Sequence, residues 1–359
     1  MRRRPCANSI GQCAAAPCRP EYNPSHIIAH THRLPHPSGV GWRACGGAIL
    51  GLLILGACGG ASAEPGVVLK LTTPTATPPG GAVQVGLPTP TLTPTAPPEL
   101  VLSTEQVYQA GTVLVSVTGN VAGGSVTFLG RTNRLTKGAR SWYAFVGVGT
   151  EDPVGRAPLK AEFALANGSK GSLTADVIVL RTQWTVDSLI FTEAQTQTLL
   201  DPRVVAAENA LLDQVYRTNT DKKLWDGPWL VPTQGALTSR FGEQRAVNGS
   251  EPSGHHGGTD LGAKEGTPVY ATNSGRVVMA RQLQLRGNMV IIDHGGGLLS
   301  GYGHMSAFAA AEGQDVQAGD LIGYVGNTGL STGAHLHWEM SVNGVLVDAL
   351  RFNDGSNGF

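Results

Sequence analysis

Three short groups of histidine and aspartate stand out as the chemically capable part of this 359-residue chain. They are His256-Gly257-Gly258-Thr259-Asp260, Tyr302-Gly303-His304 and His335-Leu336-His337, and every spacing within them is two or four. Even spacing puts side chains on one face of a strand. Gly257-Gly258 argues against the helix that could otherwise bring a His/Asp pair together four residues apart. Imidazole and carboxylate are zinc ligands, and a catalytic zinc site offers three protein ligands with a fourth position open. One His, one Asp and one more His would supply that number. Zinc brings the pKa of a coordinated water towards 7 and polarises a carbonyl under attack. Two further histidines then remain for proton transfer and for stabilising charge on a tetrahedral intermediate.

The surrounding text is ordered as well: Ser239-Arg240-Phe241-Gly242, then Gly266-Thr267-Pro268-Val269-Tyr270-Ala271, Asn288 to Gly295, Gly323 to Gly329, and Gly333-Ala334-His335-Leu336-His337-Trp338-Glu339. Over about residues 230–350 this resembles the lysostaphin-like M23 zinc metallopeptidases, or LytM domains, whose signature is H-x-x-x-D, a distal H and H-x-H. The resemblance implies one Zn2+ per chain held by His256, Asp260 and His337, with His304 and His335 as the catalytic histidines. It implies hydrolysis of peptide bonds in peptidoglycan stem peptides or cross-links, with a peptidoglycan peptide as the bound partner. Two other readings are a non-catalytic LytM-type regulator of cell-wall amidases and a zinc peptidase acting on a Gly-rich protein. All five signature positions are filled, which favours the enzyme. His255 reads as a rim residue, because only His256 stands four before Asp260. His294 ends an apolar strand and reads as a hydrogen-bonded strand-end histidine. Asn288 and Ser300 occupy polar positions near the site in the family pattern and are expected to orient ligands or substrate; Tyr302 either lines the cleft or packs.

The fold that must position these residues reads as mainly β. Residues 230–359 form the peptidase domain, an antiparallel β-sheet. Residues 100–185 alternate in short runs, such as TVLVSVTG from Thr112 and TADVIVLR from Thr174, broken by turns such as Asn167-Gly168. That pattern predicts an immunoglobulin-like β-sandwich, and without histidine or cysteine it reads as a spacer. Residues 186–229 read as a helical linker, with Asp201 as N-cap and Pro202 at the first helical position. Trp225, Trp229 and Pro232 are expected to pack at the junction.

The N-terminal part has a different character. All five cysteines lie within the first 58 residues, and ACGGAILGLLILGA from Ala44 is an uncharged run after Arg43. It is too short for a comfortable membrane span, which needs about 20 residues, and suits a secretory signal. Leu55-Gly56-Ala57-Cys58 resembles the lipobox of bacterial lipoproteins, which implies acylation at Cys58. Residues 1–58 are therefore read as leader and lipoprotein signal, with Val40 as an alternative start. Residues 59–99, rich in Thr and Pro, read as a disordered linker that can reach roughly 100 Å at about 3.1 Å per residue. The expectation is an exported protein, held to a membrane by a lipid anchor at the cell envelope and facing the wall. The 26 basic and 26 acidic residues balance, and removal of the leader leaves 20 against 25, so nothing supports a nucleic-acid partner. No signal for an oligomeric state is present.

Overall fold

A computed structural model describes residues 96–354 of the chain; the leader, the lipobox Cys58 and all but the end of the Thr/Pro segment lie outside them. Strand is the dominant element. Among the described residues no helix is long and apolar enough to cross a membrane.

Residues 99–180 make a two-sheet sandwich. One sheet runs Glu99–Leu102, Thr112–Thr118, Trp142–Gly147, Thr136–Lys137, and the other Gln106–Tyr108, Lys170–Leu180, Gly155–Leu165, Val121–Phe128, Arg131–Arg134. The two sheets enclose one core, and the short strand Gln106–Tyr108 pairs in parallel with the last strand, Lys170–Leu180. The alternation read in TVLVSVT is the burial pattern: Val113, Val115 and Val117 are buried and face Val126, Leu159 and Val177 across a common core. The sandwich packs directly on the C-terminal region rather than standing off from it. Tyr143 and Phe145 share a buried cluster with Trp229, Leu298 and Val342, and the Asn343 side-chain amide donates to the Phe145 carbonyl at 2.9 Å.

The segment 186–229, expected as a helical linker, carries the helices Glu193–Leu199 and Pro202–Tyr216 and packs on the C-terminal region. Val186–Leu189 pairs in parallel with Gln244–Val247. The helix Pro202–Tyr216 starts at Asp201, whose side chain accepts from the Arg203 N–H, and it buries Leu212 and Tyr216 against Met279, Met289, Ile291 and Leu299. Its apolar stripe needs that surface, since a helix of this length is marginal alone in water.

The largest sheet carries the site. Its strands run Ala236–Ser239, Thr259–Gly262, His335–Val342, Leu298–Met305, Asn288–Gly295, Gly275–Gln282, Asp315–Val316, all antiparallel. Along His335–Val342, Leu336, Trp338, Met340 and Val342 enter the core, and alternation therefore sends His335, His337 and Glu339 to the other face. Tyr302 is paired with Trp338 and lies on the core side.

His294 closes the end of its strand as expected. It is fully buried, its Nδ1 lies 2.8 Å from the Ser274 carbonyl and its Nε2 2.7 Å from Ser300 Oγ. Burial holds its pKa down from 6.5 to about 4, against the smaller raising effect of the Ser274 hydrogen bond. The stability tied to this neutral ring is fully present above pH 6.5 and is lost as the pH falls through 4, about 3 kcal/mol in all. His294→Gln removes the titrating group. Urea unfolding at pH 7 and pH 4.5 should therefore show an acid loss about 2 kcal/mol smaller in the variant than in the parent; equal losses would contradict this account.

Candidate metal centre

Register creates the site. In the antiparallel ladder, Asp260 stands opposite His337, and His337 stands opposite Gly303 on its other side. His256 precedes the strand Thr259–Gly262 and turns in over Gly257-Gly258. A Cβ on Gly258 would lie 2.7 Å from His337 Cε1, so the ring can seat only because that residue has no side chain. Three ligand atoms converge: His256 Nε2 to His337 Nδ1 at 3.0 Å, His256 Nε2 to Asp260 Oδ1 at 3.1 Å, and His337 Nδ1 to Asp260 Oδ1 at 2.8 Å. A tetrahedral ion with 2.0–2.1 Å bonds has ligand atoms about 3.3 Å apart. The set thus needs to open by only a few tenths of an ångström. All three residues are buried and form a group able to hold a metal ion.

The outer nitrogens of the ligand rings are tied down. His256 Nδ1 donates to the Arg240 carbonyl at 3.0 Å, so Nε2 is the nitrogen turned towards Asp260 and His337. Burial lowers the pKa of His256, with the hydrogen bond to Asp260 opposing. His337 Nε2 lies 2.9 Å from Glu339 Oε1. Burial alone would depress the His337 pKa, but the Asp260 and Glu339 carboxylates outweigh it and raise it to about 9. The Asp260 carboxyl also overcomes burial: hydrogen bonds from His256 and His337 hold it far below the usual carboxylate range. One proton on His337 Nδ1 thus sits among the ligand atoms, where a cation has the right partners. The other Asp260 oxygen faces Arg245 Nη2 at 3.5 Å.

His304 and His335 stand beside this group, their ring centroids 4.7 Å apart, and both line the same cleft. His304 Nδ1 donates to the Thr328 carbonyl at 2.7 Å and His335 Nδ1 to the Gly333 carbonyl at 2.8 Å. In each ring Nε2 is the atom left for proton transfer. Burial, then the neighbouring His337 and His335, push the His304 pKa down to about 3, so this ring is neutral.

His304 reaches the cleft through a break in the strand. Between the pairs Val290↔Tyr302 and Asn288↔Met305, its strand takes three steps where the partner takes two, and His304 has φ 59°. An added residue of this kind re-aims a side chain. It also takes Ser300 away from the orienting place expected of it and puts Tyr302 on the packing side of its two expected placements. Without the bulge, Ser300, Tyr302 and His304 would share one face; with it, only His304 turns to the site. Ser300 and Tyr302 are fully buried, linked Oγ to Oη at 2.8 Å, and join His294 and the Thr272 N–H in the interior. Neither lines the cleft. Asn288 acts at one remove: its side-chain amide donates to the Met305 and Ser306 carbonyls, and its N–H meets Thr328 Oγ1, holding together the two loops that carry His304 and its acceptor. His255 is at the rim, with Nδ1 on the Gly242 carbonyl and Nε2 2.7 Å from Glu151 of the sandwich.

Several site residues lie outside the set of site candidates read from the sequence. Glu339, two after His337 and so on its face, could have been found by parity alone. Arg286, Tyr216 and Arg245 come from separate elements and could not. One wall of the cleft is formed by Leu189, Phe191, Leu200 and Val205, all from the segment taken for a linker.

Residues 254–349 match peptidase family M23. Over 123 residues the chain is 39% identical to the peptidoglycan DD-endopeptidase ShyA of Vibrio cholerae, covering 34% of this chain and 29% of that protein. Over 93 residues it is 46% identical to the DD-carboxypeptidase/endopeptidase Mpg of Neisseria meningitidis, covering 26% and 21%. Over 125 residues it is 35% identical to the murein hydrolase activator NlpD of Escherichia coli, covering 34% and 31%. The chain thus spans less than a third of the length of each of these relatives.

The left-handed backbone at His304 is strained for any residue but glycine. His304→Gly and His304→Ala should both be inactive, with the glycine variant the more stable by about 1 kcal/mol in denaturant titration. Equal stability of the two would show that the backbone there carries no strain.

Proposed function

We propose, from the match of residues 254–349 to peptidase family M23, that the protein is a zinc-dependent endopeptidase that cleaves peptide bonds in peptidoglycan. The observation that carries this reading is the convergence of His256 Nε2, Asp260 Oδ1 and His337 Nδ1 with two further histidines at the same cleft. His256, Asp260 and His337 would hold a zinc ion, which would supply Lewis acidity for polarising a carbonyl and acidifying water. The chain's own part is positional. Backbone carbonyls orient His304 and His335 so that each presents Nε2 for moving the proton between water and leaving amine and for stabilising charge on the carbonyl oxygen. Peptidoglycan is favoured as substrate by the names of the relatives ShyA and Mpg. Export, acylation at Cys58 and a membrane anchor facing the wall complete the proposal, with the Thr/Pro segment as the tether.

The similarity to NlpD favours a second reading, activation of a cell-wall amidase without catalysis. The two readings divide on turnover. Purified wall fragments incubated with the protein and analysed by mass spectrometry should show peptides with new amino and carboxyl termini, in amounts that fall on chelation and return with zinc. His337→Ala should lose zinc and hydrolysis together while remaining folded. His335→Ala should keep its zinc and lose about 10²- to 10⁴-fold in turnover. Unchanged hydrolysis in His337→Ala would sink the mechanism, and fragments released only when an amidase is added would establish the activator instead.

A further inference from the structure

The helix Pro202–Tyr216 lies upstream of the M23 domain and carries no motif, yet it meets the metal centre at two points. Along the site face of the main sheet, cross-strand rows follow one another as Leu299↔Ser341, Gly301↔Glu339 and Gly303↔His337. Leu299 is covered by the helix. One row on, the last helical residue reaches the site: Tyr216 Oη donates to Glu339 Oε2 at 2.5 Å. The other oxygen of that carboxylate, Oε1, accepts from Arg286 Nε at 3.2 Å and meets His337 Nε2 at 2.9 Å. Gly301, opposite Glu339, leaves the room this requires, since a Cβ there would overlap the Tyr216 hydroxyl.

The second point lies eight residues earlier on the same helix. Buried Glu208 accepts the N–H groups of Leu285 and Arg286 at 2.8 and 2.9 Å. That fixes the loop whose Arg286 side chain holds Glu339 and whose Arg286 carbonyl accepts the His304 N–H at 2.7 Å. The helix therefore acts on both the ligand His337 and the strained backbone of His304, in each case through one intermediary.

We infer that the helix Pro202–Tyr216 is a positioning element of the metal centre, with Tyr216 fixing the Glu339 carboxylate that in turn orients the ring of the ligand His337. A carboxylate held at both oxygens cannot swing away from the imidazole it supports. The ligand nitrogen Nδ1 is then aimed before the ion arrives, and groups of this kind commonly set metal affinity within a factor of about 10–100. The inference rests on the reading of His256, Asp260 and His337 as zinc ligands.

Leu212 supplies the comparison, because it is buried on the same helix and in the same apolar cluster but contributes only packing. Zinc affinity of the full chain, measured by competition with a chromophoric chelator, is set beside the melting temperature of the metal-free protein. Tyr216→Phe should weaken zinc binding about tenfold and lower the melting temperature less than Leu212→Ala does. Leu212→Ala should lose the larger share of thermal stability, as a cavity variant, with its zinc affinity unchanged. A parent chain that binds zinc no better than Tyr216→Phe overturns the inference and leaves the metal site standing. Equal loss of affinity in both variants reduces the helix to a structural support and also overturns it. A parent chain that takes up no zinc overturns the metal reading and the inference together.

Discussion

A buried histidine held between two carboxylates sets the terms for the rest of this structure. His337 is clamped between Asp260 and Glu339 in a largely buried part of the sheet at the floor of the cleft. Charges in such a place are tolerated only when each is paired and hydrogen-bonded, since removing one partner strands another. Each partner here recruits another. Glu339 is fully buried and its pKa is held down to about 2; burial opposes this, and Arg286 leads the groups that overcome it. Asp260 draws in Arg245, which pairs in turn with Asp187 from the segment before the first helix. The pairing of one imidazole thus reaches four separate stretches of chain.

The backbone makes room for that arrangement at a few points. Gly258 and Gly301 are positions where a side chain would occupy the volume of the His337 ring or the Tyr216 hydroxyl. At His304 the chain accepts a left-handed conformation to turn an imidazole out of the core face and into the cleft. Strain of this sort persists only where the surroundings over-determine it. Here they do so twice: the Arg286 carbonyl fixes the His304 N–H, and the Thr328 carbonyl fixes its ring.

How much of this the sequence discloses depends on whether a residue's role is local. Alternation in Thr112–Thr118 and in His335–Val342 reads directly as core and surface, because strand period is a property of the strand itself. The pairing of Asp201 with Pro202 likewise announces its own helix. Even spacing does not carry from Tyr302 to His304, because the bulge between Tyr302 and Met305 is created by pairing with Asn288–Gly295 and leaves no mark on the alternation. Tyr216 and Glu208 were unreadable for a similar reason. On a helix they look like ordinary residues of an amphipathic stripe, and only the loop at Leu285 and the strand at Glu339 give them partners.

The residues that match the family and the residues that build the cleft are therefore different sets. Every ligand candidate and both further histidines lie within 254–349, where spacing and residue type carry the chemistry. The apolar wall at Leu189, Phe191, Leu200 and Val205 comes from upstream of that range, as do the two helix contacts that steady the site. Such a wall acts by shape and by excluding water, and any aliphatic residue of suitable size can serve, so it leaves no motif behind. The metal-ligand candidates thus lie in the matched residues, whereas one wall of the cleft beside them comes from a segment that the sequence marks only as a helical connector. A fragment cut at residue 254 would keep His256, Asp260, His304, His335 and His337 and lose the apolar wall of the cleft that faces them.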